Sequence, residues 1–318
     1  MRRSLPAIAA LLLSALPLAA QDFPSKPVEL IVPWAPGGAT DLVARIVAAE
    51  MEKTLGQAII VVNKPGAGGM VGSELAAKAN PDGYTIVIAG AGSFYRDYLR
   101  DDTPFDPENG FRVISGVAEA PFVLLANPEF PANNVNELIE LAEKDPGALN
   151  AASSGMGSTS HLAVEYFQTV TGTEMLHVPY EGAAPATVDL LAGRIDLFFD
   201  SITTATENVA AGKLKALAVT SGERVSLLAD VPTMVEQGQD LVASPWWVFA
   251  SAAGTPDEAV NKLNAAANTA LSNPEVVARL AELGSLPLAL EPEALEAFVA
   301  AERKKWADII IAAGLSIK

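Results

Sequence analysis

The sequence has no cysteine and only two histidines, His161 and His177. The first absence excludes disulfides, thiol catalysis, cysteine metal sites and lipid attachment behind a leader. The second leaves little for metal ligation or imidazole proton transfer. A G-x-S-x-G nucleophile elbow is missing. So is a true dinucleotide fingerprint: Gly66-Ala67-Gly68 has the wrong spacing for it, and no acidic residue ends a strand about 20 residues further on. Positive charge is also short. There are 21 Lys and Arg against 38 Asp and Glu, a net −17, and loss of Arg2 and Arg3 would make it −19. That balance argues against nucleic acid or an anionic membrane surface as partner. After the first 20 residues there is no long apolar run, so no membrane-spanning segment is expected there.

What is present begins with a leader. Met1-Arg2-Arg3 is basic, residues 5–18 are apolar but too short to span a bilayer comfortably, and Ala19-Ala20 offers a cleavage site. Residues 1–20 are read as a secretory signal, with the mature chain starting near Gln21. An exported chain without disulfides fits a bacterial periplasm. A length of 318 residues, half of them hydrophobic, suggests two domains with sizeable cores.

One device recurs along the chain: an apolar strand, a loop of glycines and hydroxyls, then an amphipathic helix. The first copy is the strand at 27–32, the loop Pro33-Trp34-Ala35-Pro36-Gly37-Gly38 and a helix whose N-cap candidates are Thr40 and Asp41. The second has its loop at 63–69, and a related small-residue loop follows the strand at 84–89. The third carries Ser153-Ser154-Gly155-Met156-Gly157-Ser158-Thr159-Ser160 before its helix, with more hydroxyls than one cap needs. The fourth runs from 175–180 into Glu181-Gly182-Ala183-Ala184-Pro185. Such a loop presents backbone N–H groups to an anion at a helix start, and surplus hydroxyls suit carboxylate oxygens. Strands alternating with helices mean α/β with mostly parallel sheets, and ligands there sit at the carboxyl ends of strands. Two such loops in each half suggest two lobes facing one cleft. Net negative charge does not forbid an anionic ligand, because helix starts act within a turn and distant charge is screened over roughly 8–10 Å.

Several stretches, taken in order, resemble the solute-binding proteins of the tripartite tricarboxylate transporter family, the Bug receptors. They include residues 32–41, 63–69, Asn80-Pro81-Asp82-Gly83-Tyr84, 150–162, His177-Val178-Pro179-Tyr180, Asp189-Leu190-Leu191-Ala192-Gly193, 216–220 and Asp230-Val231-Pro232-Thr233. The resemblance implies a two-lobed periplasmic binding protein fold (type II), each lobe a mostly parallel sheet flanked by helices, joined by two crossover segments. Lobe 1 is expected over 21–122 plus 223–318 and lobe 2 over 123–222. It implies a monomer that takes an organic carboxylate (di- or tricarboxylate, or aromatic acid) and passes it to the membrane subunits of such a transporter, with no cofactor, metal or catalytic residue.

The candidate ligand residues are Trp34, Pro36, Gly37 and Gly38 in the first loop, Gly66, Ala67 and Gly68 in the second, and Ser93 after the third strand. In the far lobe the resemblance implies Ser154, Gly157 and Ser158, with Thr159 beside them and Asp200 at the cleft edge. Glu181 stands where the family usually has a cation, so Arg96 is a further candidate for the distal end of the ligand. Its alternative is a surface arginine paired with Asp97 or Asp101. A secreted α/β hydrolase using a serine is the rival class, and His161 and His177 are expected to be structural.

Overall fold

The computed structural model describes residues 23–315, so the expected signal segment lies outside the described residues. In chain order the elements are β1 (Val28–Val32), α1 (Ala39–Leu55), β2 (Ile59–Asn63), α2 (Met70–Ala77), β3 (Thr85–Gly90), β4 (Phe111–Glu119), β5 (Phe122–Ala126), α3 (Val135–Lys144), β6 (Asn150–Ser153), α4 (Thr159–Thr171), β7 (Leu176–Pro179), α5 (Ala183–Leu191), β8 (Leu197–Ser201), α6 (Ile202–Ala210), β9 (Lys215–Val219), β10 (Trp246–Ala252), α7 (Asp257–Ser272), α8 (Pro274–Glu282), β11 (Leu286–Pro287) and α9 (Pro292–Ala312). The helix stops are the local ones: Gly56 and Gly172 take the left-handed conformation after α1 and α4 at φ 65° and 68°, which favours glycine. The N-cap of α1 differs from expectation. It is Gly38, with no side-chain cap, while Thr40 and Asp41 lie inside the helix.

The strands form two sheets, ordered β11-β4-β10-β3-β1-β2 and β7-β6-β8-β5-β9. This is the expected α/β two-lobed arrangement, but the sheets are mixed. β1 pairs in parallel with β2 and β3, and β6 with β7 and β8. β10 is antiparallel to β3 and β4, β11 to β4, and β5 to β8 and β9. The reason is the crossing itself. β5 and β10 each enter a sheet from the interlobe side, so they run away from it, whereas the β-loop-helix strands run towards it. Thus Phe122, first in β5, pairs with Ser201, last in β8, and Trp247 near the start of β10 pairs with Gly90, last in β3.

The crossings lie side by side. β4 passes into β5 through Ala120-Pro121, and the Ala120 N–H donates to the carbonyl of Pro245 on the return crossing (3.0 Å). Between β9 and that return, the chain stays with the second sheet. Met234 N–H donates to Val219 O (2.9 Å) and Ala243 N–H to Thr220 O (3.1 Å). The Gln237 amide donates to Leu217 O (3.0 Å). Thr220 is bound to Phe122 in both directions through main chain and hydroxyl. By these bonds residues 221–242 go with lobe 2, and we place the second boundary at 243–245 instead of 222–223. A segment pinned to a sheet edge through distant partners carries no local boundary signal.

Candidate functional site

A cavity of about 60 Å³ lies between the lobes at the carboxyl ends of strands from both sheets. Four helices begin at its wall: α1 at Gly38, Ala39 and Thr40, α4 at Ser158, Thr159 and Ser160, α5 at Ala183, and α6 at Asp200 and Ser201. Each N-terminus carries roughly half a positive charge in unpaired N–H groups. Because α1 has no side-chain cap, its first-turn donors remain available.

The near wall is held by Asp41. Its carboxylate accepts from Gly37 N–H (3.0 Å), Arg45 Nε (3.0 Å) and Asn63 Nδ2 (2.9 Å), while Asn63 also donates to the Trp34 carbonyl (3.0 Å). Burial opposes the charge, but the hydrogen bonds from Arg45, Gly37 and Asn63 outweigh it and hold the carboxyl below its usual range. The acid at this helix start therefore shapes the loop. Gly38 at φ −81° needs no special freedom, and a Cβ there would make ordinary contacts with Ala35 O (3.8 Å) and with Ala183 Cβ across the gap (3.9 Å).

The far wall carries the hydroxyls. Ser160 Oγ accepts from Ser154 N–H (2.8 Å) and lies 2.9 Å from Ser154 Oγ and 3.2 Å from Ser158 Oγ. Ser158 Oγ also caps α4 by accepting from His161 N–H (3.3 Å). The two mutual contacts use two of the three hydroxyl hydrogens, so one is left over for a further acceptor. Asp200 is 2 % exposed and accepts from Ser201 N–H (2.8 Å) and Thr204 Oγ1 (2.7 Å). Burial pushes its carboxyl up to about 7 in spite of those bonds. Trp34, Phe122, Phe198, Phe199, Trp246 and Trp247 complete the lining. The Trp247 indole donates to Thr40 Oγ1 (2.8 Å) and that of Trp246 to Glu302 (2.9 Å).

Of the expected residues, Trp34, Gly38, Ser154, Ser158, Thr159 and Asp200 line this cavity. The others do not. Pro36 and Gly37 are exposed on the outer rim, with the Gly37 N–H taken by Asp41. The loop of Gly66, Ala67 and Gly68 meets the other lobe's backbone: a Cβ on Gly68 would overlap the Met156 carbonyl. Gly157 donates its N–H to His161 Nδ1 (3.0 Å) within its own loop, and its carbonyl lies against Tyr95 of the other lobe. Ser93 is buried and bonded to Ser73 Oγ (2.9 Å). Arg96 is neither a cavity residue nor a surface one; it is buried and donates to main-chain carbonyls of Ala67, Gly68 and Met156, while Asp97 pairs with Arg303.

Thr40, Ser160, Trp246 and Trp247 also line the cavity, beyond the residues expected from the sequence. A signal for the last two existed: half of the chain's four tryptophans stand together where the chain returns to the first sheet. The histidines are structural neighbours of the site. Their rings stack at 3.9 Å, His177 Nε2 lies 2.6 Å from Ser153 Oγ, and burial first, then the adjacent His161, bring His177 down to about 3. Ser153 is fully buried.

A small cavity between two α/β lobes, walled by helix starts, hydroxyls and aromatic rings, is the geometry of a two-lobed solute-binding fold. The chain belongs to the tripartite tricarboxylate transporter receptor family: residues 43–315 match the family described as "Tripartite tricarboxylate transporter family receptor". It is similar to the periplasmic binding protein BugD, at 37 % identity and TM-score 0.89, over 93 % of this chain and 100 % of that one. It is also similar to MatC from Rhodopseudomonas palustris with bound malate (34 %, TM-score 0.86, 91 % and 100 % covered). A third similar structure is the R. palustris protein Rpa4515 with adipate (32 %, TM-score 0.89, 93 % and 100 % covered).

Proposed function

We infer that this receptor captures a compact organic dicarboxylate between its lobes and presents it to the membrane subunits of a tripartite tricarboxylate-type transporter. The observation that carries the reading is the convergence of four helix N-termini and a serine cluster on one interlobe cavity. Those groups neutralise carboxylates without any basic side chain in the lining, which suits a ligand that must later be released. The cavity is small, about 60 Å³, which favours a diacid over a bulkier tricarboxylate. The malate and adipate of the two similar R. palustris structures are both dicarboxylates. The Ser153–His177 pair has no access to the cavity, which supports binding without turnover.

In this reading lobe 1 comprises 23–120 plus 246–315 and lobe 2 comprises 122–242, closing about Ala120-Pro121 and residues 243–245. Calorimetry against a panel of malate, succinate, citrate and benzoate, with X-ray scattering at saturation, tests it. A short diacid is expected to bind and to shrink the radius of gyration. Ser154→Ala should weaken that binding by about 1.5–3 kcal/mol, as for a hydrogen bond to a charged group. Binding of none of these acids, or no contraction together with unchanged affinity in Ser154→Ala, would remove the proposal. Export through a cleaved signal is part of it, and N-terminal sequencing of protein from the periplasm should begin near Gln21; an intact Met1 would contradict this.

A further inference from the structure

Arg96 is 2 % exposed, and its guanidinium is spent on main-chain oxygens. Nη2 donates to Ala67 O (3.1 Å) and Gly68 O (2.8 Å) of its own lobe, and Nη1 donates to Met156 O (3.0 Å) of the other. Nε is buried without a partner among the described residues. The neighbouring carboxylate, Asp97, is held by Arg303 at 2.8 Å. A buried cation with no counter-charge is costly, and only surrounding dipoles make it tolerable. Burial accordingly lowers the guanidinium to about 10, so it stays charged at neutral pH.

Two of those dipoles belong to its own lobe, and the third, the Met156 carbonyl, arrives only when the lobes meet. Gly68 and Gly155 touch backbone to backbone: a Cβ on Gly155 would lie 2.8 Å from Gly68 Cα. The buried hydroxyl of Tyr95, next to Arg96, is 3.5 Å from Gly157 O in the same far-lobe loop. That loop leads directly into the Ser158 cap of α4 and hence into the cavity wall. Opening the lobes would break the bond to Met156 and strand the guanidinium between water and a half-made cradle.

We propose that Arg96 is an interlobe latch: a lobe 1 cation that grips the Met156 carbonyl of lobe 2 in the closed form and thereby sets how long the ligand is retained. The latch rests on the interlobe carboxylate site inferred above. It acts on closure, not on the ligand, so it should be blind to the ligand's distal end.

The test uses Arg96→Met, close in length and uncharged, and Arg96→Gln, which keeps two donors. Stopped-flow binding of malate and of its half-amide is measured on both variants and on the unmodified protein. Dissociation is expected to speed up roughly ten- to a hundredfold in Arg96→Met, and less in Arg96→Gln, by equal factors for the two ligands, as for the loss of a charged hydrogen bond. Association should change by less than about threefold, the usual pattern when contacts of the bound state are removed. Unchanged dissociation in both variants overturns the latch, as does a loss confined to malate, which would mean direct contact with the second carboxylate. Loss of the folded circular-dichroism signal in both variants overturns it in favour of a folding role. If the unmodified protein takes up none of the acids, the carboxylate reading fails by itself. The latch is then decided by amide exchange at Met156-Gly157-Ser158 in the ligand-free proteins: faster exchange in Arg96→Met supports it and equal exchange overturns it.

Discussion

Gly68→Ala is expected to lower dicarboxylate affinity by a hundredfold or more while leaving the protein folded. The backbone at Gly68 has φ 63°, in the left-handed region, where an alanine costs about 1–2 kcal/mol. The loop already accommodates such a residue, since Ala67 sits at φ 49°. Within lobe 1, then, the substitution is bearable. The difficulty arises only on closure, when the new methyl would overlap the Met156 carbonyl and press on the Ser158 N–H at 3.2 Å. Both are main-chain atoms of the loop that leads into α4, and Gly155 is already against Gly68 Cα, so neither side can give way cheaply. Apparent affinity scales with the fraction of molecules able to close, so about 3 kcal/mol of closing penalty removes about two powers of ten. Calorimetry gives the affinity, and scattering at high ligand shows whether contraction is lost with it. Wild-type affinity with full contraction would mean that the two glycine loops do not meet in the bound form.

The second large effect is on pH. Asp200 is buried at the cavity wall with its carboxyl raised to about 7, chiefly by desolvation and against the opposing hydrogen bonds of Thr204, the Ser201 N–H and Thr187. Below that value it is neutral and can donate its proton to a ligand carboxylate. Above it, a further negative charge faces a dianion at close range. Affinity for a dicarboxylate should therefore fall by up to about tenfold per pH unit above 7 and level off below it. Asp200→Asn should flatten the profile, because an amide donates at every pH. The stability sign runs the same way. A native carboxyl above its unfolded value of about 3.9 binds more protons than the unfolded chain between those two values. Native stability should thus decline as pH rises from about 4 to 7, and Asp200→Asn should melt higher than the parent at pH 8. Isothermal titration and thermal melts from pH 5.5 to 8.5 check both. An affinity that rises with pH would rule out a neutral donor and point to a ligand with a cationic group paired to ionised Asp200.

Much of the cavity's chemistry was readable because it is local. A strand end, a glycine or hydroxyl loop and a helix start occupy a dozen consecutive residues, so the loops at 33–38 and 153–160 stand out from their neighbours alone, and the family resemblance narrows the second to Ser154 and Ser158. The same local view misjudged the second glycine loop. Gly66-Ala67-Gly68 has the composition of an anion cradle, yet two of its carbonyls hold Arg96 and its Cα surface is filled by Gly155. Composition reports that a backbone can be approached closely; it does not report what approaches.

Arg96 shows the limit most clearly. From its neighbours it could only be a ligand contact or a surface residue beside Asp97. The carbonyls that bury it lie 28, 29 and 60 residues away, and Asp97 is claimed by Arg303, 206 residues on. Trp246 and Trp247 reach the cavity for a similar reason, through the pairing of β10 with β3 and β4. By itself, then, the amino-acid order determined the α/β class and the strand-loop-helix units, because hydrophobic period, glycine and capping chemistry act over a few residues. Only the tertiary structure decided which loops form the cavity and which form the contact between lobes, how the return segment joins the second sheet, and that a buried cation spans the gap. Those outcomes depend on which backbone groups find partners across the chain, and hydrogen-bond satisfaction in a closed interior is a property of the whole fold.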